Sequence, residues 1–436
     1  MIRIPNDCEP CSKAELGLWN KRLLQKDIEY GNWQTFLPSA SFTESTTVSW
    51  NIQADGDLYT SLWHSYLEMG LKIVKADGTP IGADEKVAFI NNIGHAFWSH
   101  VKLDLNGTEV TSSRDTYHMK AHDMVLLSYG SNAKRSQLGC FGWAKDTAGH
   151  MNEAGPNNKG WTARQKWTSA SRTLGLVCPL AIDLWQVQEL LPNGINIKLK
   201  LTRNPNEIIL HQPADNTTAY RVLLQTCELH LRRVKLSPST LLEQAKNFTL
   251  GPAVIPINRI ETITHSVPQG VKSTKIDNVT LGDLPECMVI SALLDSSLNG
   301  DINTTPDYRQ HFHISKVAVI RDGQSVPAVP LTPDFENNQF IRCYQSIFAA
   351  TGKWLFDEGL DITRDDYPKG YTYFAFNFNP DLSNGELVQP NRAGNVRLDI
   401  EFARPTQQPI QLVMQCSFYS TVKITRARDV LIDYTP

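Results

Sequence analysis

The sequence predicts an all-β protein with a few short helices, built as two tandem eight-stranded antiparallel jelly rolls. Apolar and polar residues alternate with period two in several segments, which is typical of half-buried strands. Glycine and proline together number 50, 26 and 24 respectively, and indicate many turns. The second half of the chain repeats the order of elements of the first. A chain of 436 residues also suggests about two units of roughly 200 residues each.

The elements of the first half can be assigned in order. Residues 12–28 begin with the capping-box pattern SKAE and predict a short helix or an arm that becomes ordered on a partner. Strands dominate from Phe42 onward. The alternating segment 98–105 ends in the turn Asn106-Gly107, which predicts a strand and a hairpin. Residues 115–130 predict a helix that ends at Gly130, and the Gly- and Asn-rich segment 139–166 predicts a long surface loop.

The second half replays these elements. KVAVIRDGQSVP parallels VKLDLNGTEV, and the helical segment 337–352 parallels the helix that ends at Gly130. GNVRLDIEFARP parallels GINIKLKLTRNP, although the apolar alternation of these two segments is out of phase by one residue. The offset falls from 216 (Gly107 to Gly323) to 200 (Gly194 to Gly394) and 190 (Gln225 to Gln415), so the first half spends 26 more residues, which we assign to the 139–166 loop. We expect an N-terminal arm at 1–37, a first roll at 38–240 and a second roll at 241–436.

Composition excludes several classes of protein. The net charge of −3 excludes a polycation that coats DNA or an acidic membrane. The start, MIRIPNDCEPC, is not a signal peptide, and no apolar run is long enough to span a membrane, so we expect a protein made in the cytosol. The eight cysteines are scattered, which favours a reduced compartment.

Histidine and cysteine patterns offer three candidate sites. Cys8 and Cys11 have the spacing of half a zinc site, but no second pair follows. His311 and His313 could share one face of a strand, as in metal-binding cupins, but the glutamate that such sites need is missing. His95 and His100 lie five positions apart; with His100 on the polar face of a strand beside Lys102 and Asp104, we interpret both as surface or packing residues.

Acidic and basic clusters are equally weak. Residues 295–302 match the first eight positions of a calcium loop, but Pro306 stands where a glutamate is required. The segment 357–367, with Asp361 and Asp365, could serve a glycosidase pair but is better explained as a solvated acidic loop. Arg232, Arg233 and Lys235 form a small basic cluster. We therefore predict no catalytic, cofactor-binding or metal-binding residues, no cofactor and no enzymatic activity, and favour a structural or binding protein.

Several quoted segments resemble, in order, one known family. They are ELGLWNKRLLQKDIEYGNW, NNIGHAFWSHVKLDLNGTEV, DTYHMKAHDMVLLSYGSNAKRSQL, LLPNGINIKLKLTRNP, PDFENNQFIRCYQSIF and YPKGYTYFAFNFNPDL. Together they resemble the major capsid protein of Polinton/Maverick elements and adintoviruses, from about residue 15 to residue 433. The chain departs from the family where the arm meets the first strand and in the 139–166 loop.

The resemblance implies a double jelly roll that assembles as a homotrimeric, pseudo-hexagonal capsomer of an icosahedral shell around double-stranded DNA. It implies as partners further copies of the chain, penton and minor capsid proteins, a separately encoded packaging ATPase and maturation protease, and the genome through weak inner-face contacts. The expected location is the virion capsid, after synthesis in the host cytosol and assembly in the cytoplasm or nucleus. The alternative is a jelly-roll carbohydrate-binding or viral attachment protein, with Trp143 and Trp161 as an exposed aromatic cluster on the long loop.

Overall fold

The computed structural model describes residues 13–16, 18, 24–113, 115–382 and 392–434. Within these ranges, ten strands precede residue 240: β1 Ile28–Phe36, β2 Thr47–Ile52, β3 Tyr59–Lys75, β4 Ala88–Phe89, β5 Trp98–Leu105, β6 Thr108–Ser112, β7 Leu174–Cys178, β8 Ile197–Arg203, β9 Leu210–His211 and β10 Tyr220–Leu236. Nine follow: β11 Ala253–Val267, β12 Ser273–Asp283, β13 Cys287–Leu294, β14 Ile314–Arg321, β15 Gln324–Leu331, β16 Tyr373–Asn377, β17 Ala393–Phe402, β18 Ile410–Ile424 and β19 Val430–Ile432.

Short helices connect the strands. The α-helices are α1 Ile93–Ala96, α2 Tyr117–Ser128, α3 Ser131–Arg135, α4 Lys159–Thr168, α5 Asn206–Ile209, α6 Pro238–Leu250, α7 Asp295–Leu298 and α8 Ile341–Ala350. The described part of the chain also has 3-10 helices at Ala14–Leu16, Gln137–Phe141, Ser169–Ser171, Asp183–Gln186 and Tyr367–Lys369. The two helices predicted to end near Gly130 and Gly352 are confirmed as α2 and α8. Both begin after β-hairpins and stop one or two residues before a glycine.

Two antiparallel four-stranded sheets form the first roll, in the orders β1-β10-β3-β7 and β2-β8-β5-β6. The second roll has the orders β11-β18-β13-β16 and β12-β17-β14-β15, with β19 added beside β18. When the eight strands of each roll are numbered along the chain, leaving out the short β4 and β9, both rolls have the orders 1-8-3-6 and 2-7-4-5. The predicted fold class, two tandem jelly rolls, is therefore confirmed.

The hairpin turns at Asn106 and Asp322 show how closely the rolls repeat each other. Both turns have positive φ at both central residues, 47° and 86° at Asn106-Gly107 and 48° and 82° at Asp322-Gly323, as in the type I′ hairpin that Asn-Gly and Asp-Gly favour. Asn196 N donates to Asn106 Oδ1 at 2.8 Å, and Asn395 N donates to Asp322 Oδ1 at 2.9 Å. In each roll the turn residue thus binds the strand next to the hairpin in the same way.

Strand register gives the residue-level correspondence between the rolls. Met69 pairs with Cys227 in the first roll, and Met288 pairs with Cys416 in the second, so the same two residue types face each core. The equivalent asparagines Asn196 and Asn395 give an offset of 199, which explains the phase difference of one residue in the predicted pairing of Gly194 with Gly394. A bulge between Leu224 and Thr226 makes Gln225 the extra residue of β10.

The boundaries of the rolls differ from those predicted. Strand β1 begins at Ile28 and pairs with β10 along its length, so the first roll includes residues assigned from the sequence to the 1–37 arm. No residue of this edge strand is fully buried, and polar residues occur on both of its faces. The segment 28–36 therefore shows no alternation of apolar and polar residues from which a strand could be predicted. Helix α6, which carries its cap on Ser237, spans the predicted boundary at 240.

Candidate functional site: the junction and the outer faces of the rolls

Helix α2 lies at the junction between the two rolls. Tyr117 and Ala121 belong to the apolar core of the first roll. Met119, from another side of the helix, packs with Leu293 and Val413 of the second roll. Ten of its twelve residues are buried. The helix therefore belongs to the first roll in the chain but covers the sheet β11-β18-β13 of the second.

Asp123 is the central polar residue of this junction. Arg309 Nη2 lies 3.3 Å from Asp123 Oδ1, and both side chains are 1% exposed. Tyr373 Oη donates to Oδ1 at 2.7 Å, and Gln415 Nε2 donates to Oδ2 at 2.9 Å. Burial and the neighbouring carboxylate act on Arg309 in opposite senses, and the net result raises the pKa of the guanidinium. Because all three partners come from the second roll, this carboxylate joins the two rolls.

Two more titratable groups meet beside this ion pair. His122 Nδ1 lies 3.0 Å from Asp307 Oδ1, but the two atoms are not aligned for a hydrogen bond. Burial raises the pKa of Asp307 to about 7 and lowers the pKa of His122 to about 4. Both shifts favour neutral groups, since charges in an apolar interior lose their hydration. The pair is therefore better described as neutral than as a salt bridge.

His118 is buried without a hydrogen-bond partner on either ring nitrogen among the described residues. Burial, with a smaller contribution from Arg309, lowers its pKa to about 3. His95 is also buried, with Nδ1 3.1 Å from Tyr117 Oη, and its pKa is lowered to about 4. The junction thus holds its histidines in the neutral form.

The acidic segment 357–367 lies at the same junction, and its prediction as a solvated loop is wrong for part of it. Lys145 of the first roll lies 2.9 Å from Asp366 and 3.8 Å from Asp361. Hydrogen bonds and charge from Lys145 outweigh burial and lower the pKa of Asp366. Asp365 remains exposed. The carboxylates therefore pair with a lysine across the junction, a contact that sequence spacing could not reveal.

The prediction that residues 139–166 form a long surface loop is wrong. Trp143 and Trp161 are 3% and 2% exposed, and Trp161 Nε1 donates to His211 O at 3.1 Å. Helix α4 starts inside this segment, with Asn158 Oδ1 accepting from Trp161 N. Arg164, also buried, pairs with Asp146 at 2.8 Å. Glycine and asparagine here serve turns and caps within a packed excursion, so the aromatic cluster expected for a carbohydrate-binding surface does not exist.

The histidine pairs are not brought together as ligand sets. His95 lies on α1, whereas His100 lies on β5 with Lys102 and Asp104 on the half-exposed face. His311 and His313 precede β14 rather than lie on a strand; His313 has a positive φ of 54°, and the His311 ring stacks on Phe335. Among the described residues no group of three or more His, Cys, Asp or Glu could hold a metal ion. Cys8 and Cys11 lie outside the described residues.

The remaining candidates have structural partners. Asp295 is the first residue of α7, and its Oδ1 accepts a hydrogen bond from Gln411 Nε2 at 2.6 Å. Residues 295–302 therefore begin with a short helix and do not form the calcium loop considered from the sequence. Arg232 stacks on Trp33, Arg233 is buried, and Lys235 is exposed beside Glu29, so the three residues form no common basic surface.

The outer faces of the equivalent sheets differ in exposure. On the second roll, Leu293, Val413 and Gln415 lie buried under α2. On the first roll, the outer face of β1-β10-β3-β7 presents Trp33 and Val177 to solvent, with Trp63 in the irregular stretch of β3 beside it. The strands of both sheets show the same alternation of apolar and polar residues in the sequence. Only the tertiary structure distinguishes the face that α2 covers from the face that is open to solvent.

Comparison of the sequence with known proteins finds a distant relative. No family model matches the sequence. A relative, the uncharacterized protein F54H12.2 of Caenorhabditis elegans, is 23% identical over 397 residues, which cover 86% of this chain and 90% of that protein. No helix of the described part has the length and apolar character needed to cross a bilayer.

Solved viral structures share the fold at low sequence identity. A chain of the Sputnik virophage matches with a TM-score of 0.67 and 13% identity, over 99% of this chain and 94% of its own. The Faustovirus major capsid protein matches with 0.59 and 10%, over 92% of each chain. The mavirus major capsid protein matches with 0.53 and 11%, over 100% of this chain and 98% of its own. This chain therefore has the double jelly-roll fold found in viral major capsid proteins.

Proposed function

We propose that the chain is a major capsid protein, whose copies associate as homotrimeric, pseudo-hexagonal capsomers and tile an icosahedral shell around double-stranded DNA. The observation that carries the proposal is the pair of rolls with identical strand order, joined by a buried junction into one unit. Three such units present six similar rolls around one axis, which is the shape a pseudo-hexagonal tile requires. The sequence resemblance to Polinton/Maverick and adintovirus capsid proteins, and the fold shared with solved viral major capsid proteins, support the same function.

No enzymatic role enters the proposal. The buried carboxylates Asp123, Asp146 and Asp183 each pair with a buried arginine or lysine. Penton and minor capsid proteins are the proposed partners beyond further copies of the chain, and the genome would contact the inner surface only weakly because the net charge is −3. The proposed location is the virion capsid, after synthesis in the host cytosol and assembly in the cytoplasm or nucleus.

The mass and outline of the purified protein test this function. Sedimentation analysis should give a particle of about three chains, and negative-stain images should show a hexagonal outline. A chain that stays monomeric at every concentration and ionic strength would contradict the proposal. A trimer that binds glycans on an array and never forms larger assemblies would favour the attachment-protein alternative.

A further inference from the structure

Within one chain, a helix of the first roll covers the outer face of a sheet of the second roll, whereas the equivalent sheet of the first roll has an open outer face. We define the second-roll face as the outer side of β11-β18-β13 and the first-roll face as the outer side of β1-β10-β3-β7 with the adjoining Trp63. The second-roll face is covered by α2. The first-roll face leaves Trp33 49%, Trp63 42% and Val177 38% exposed. Trp33 and Val177 lie on the two edge strands of this sheet, so apolar side chains are exposed at both edges of the face.

Helix α8 is the counterpart of α2. Each lies between the fifth and sixth strands of its roll, and counting back from Gly130 and Gly352 sets Ala121 against Cys343 and Val125 against Ile347. All four are buried. The same count sets Met119, which packs on the second-roll face, against Ile341, which is 53% exposed. It also sets Asp123, the acceptor for Gln415, against Gln345.

More apolar surface adjoins α8. Trp354, Leu355 and Phe356 follow the helix and are 48%, 87% and 72% exposed. Val329 of β15 is 63% exposed, and its carbonyl accepts from Arg342 Nη2, which keeps it beside the start of α8. We call these residues, with Ile341, the second-roll edge. Removal of such apolar residues from water favours association.

We propose that the second-roll edge of one chain docks on the first-roll face of another copy, as α2 docks on the second-roll face within a chain. Strand register gives the expected contacts. The pair Ser291 and Val413 of the second roll is equivalent to the pair Lys72 and Leu223 of the first roll. Since Met119 packs on Val413, its counterpart Ile341 would lie against Leu223. Val289 and Gln415 pair where Gly70 and Thr226 pair, so Gln345 would lie near Thr226.

Charged side chains also lie on both surfaces. Glu68 and Glu228 lie on the first-roll face close to His230, whereas the exposed Arg342 lies on the second-roll edge. Because two different surfaces meet, the contact is heterologous, and a ring of three chains covers every face and every edge. The inference rests on the proposed function for the number three, and adds which surfaces form the trimer.

Charge substitution at each surface tests the pairing. The edge variant Ile341→Glu/Leu355→Glu and the face variant Trp63→Glu/Val177→Glu should each sediment as monomers at concentrations where the natural chain is trimeric. An equimolar mixture should form dimers, since each variant retains one intact surface. Complementation also shows that both variants are folded. Leu250→Glu, which alters an equally exposed apolar residue outside both surfaces, should remain trimeric.

The outcomes separate the two proposals. If the natural chain is trimeric and both double variants remain trimeric, the assigned surfaces are wrong and the capsid function stands. Monomeric variants that fail to pair on mixing, although their unfolding transitions match that of the natural chain, would show that the intact edge does not dock on the intact face and would overturn the inference. A natural chain that never forms trimers would contradict both the capsid function and the assigned surfaces.

Discussion

Asp123 of the first roll and Arg309 of the second form an ion pair in which both side chains are 1% exposed and the charged atoms lie 3.3 Å apart. The residues are 186 positions apart in sequence and belong to different rolls. A buried charge that loses its partner is strongly destabilising, whereas replacing both members with apolar groups can be neutral. The relationship therefore makes the two rolls one cooperative unit.

The first prediction concerns this pair. Asp123→Asn should lower the free energy of unfolding by about 3–5 kcal/mol, because Arg309 remains charged and buried without its carboxylate. Chemical denaturation measures the change. The double variant Asp123→Asn/Arg309→Met should recover much of the loss. Asp365→Asn, at an exposed carboxylate of the same junction, should change stability by under about 0.5 kcal/mol. Equal stability of Asp123→Asn and the natural chain would disprove the energetic role of the pair.

The second prediction concerns acid. Burial lowers the pKa of seven histidines among the described residues, and lowers it to about 3 or 4 in five of them: His95, His118, His122, His211 and His311. Between the ordinary pKa of 6.5 and these lowered values, the unfolded chain binds protons that the folded chain does not, so stability falls as pH drops through this window. The raised pKa values of Asp307, about 7, and of Glu286 act in the opposite sense but belong to fewer groups than the lowered values. Thermal unfolding should therefore shift to lower temperature between about pH 7.5 and pH 5.

His118 offers a specific test of that acid dependence. Both ring nitrogens lack hydrogen-bond partners among the described residues, so His118→Leu removes a titrating group without breaking a bond. The variant should lose less thermal stability on acidification than the natural chain. Met119→Leu, at the neighbouring buried residue, changes packing but no proton count, and should keep the full acid dependence. An unchanged slope in His118→Leu would show that this histidine does not contribute.

The third prediction concerns the packed excursion that contains α4. A Cβ added at Gly160 would lie 2.6 Å from both Ala144 O and Lys145 O, which are backbone atoms that cannot rotate away. Gly160→Ala should therefore cost about 1–3 kcal/mol through overpacking. Gly155→Ala, where no heavy atom lies within 4 Å of the added Cβ, should be neutral or slightly stabilising. Equal unfolding midpoints for the two variants would contradict the packed arrangement.

The fourth prediction uses the repeated hairpin. Asp322→Asn should be tolerated within about 0.5 kcal/mol, because the first roll has Asn106 at this position with the same hydrogen bond. Asp322→Ala should cost about 1 kcal/mol, since the side-chain acceptor for Asn395 N is lost. Gly323→Ala should cost about 1–2 kcal/mol, because φ is +82°. A tolerated Asp322→Ala would show that the turn needs no side-chain acceptor.

Elements of local origin could be predicted from the sequence. Alternation in residues 101–105 predicts a strand because side-chain direction has period two, and Asn106-Gly107 predicts a hairpin because both residues tolerate positive φ. The repeated hairpin and helix predict two similar rolls for the same reason. Polar edge strands are harder: β1 has no continuous apolar face, and its pairing with β10 depends on residues about 200 positions away.

By itself, then, the sequence determined the strands with an alternating apolar face, the hairpin turns and the repeated order of elements, because these depend on neighbours in the chain, and the repeat indicated the class of fold. The tertiary structure alone decided which surfaces meet. It placed Asp123 beside Arg309, enclosed Trp143 and Trp161, and covered one outer face while leaving Trp33 and Val177 of the other exposed. These outcomes follow from contacts between distant segments, whose burial and electrostatic energies cannot be assigned before the segments are brought together.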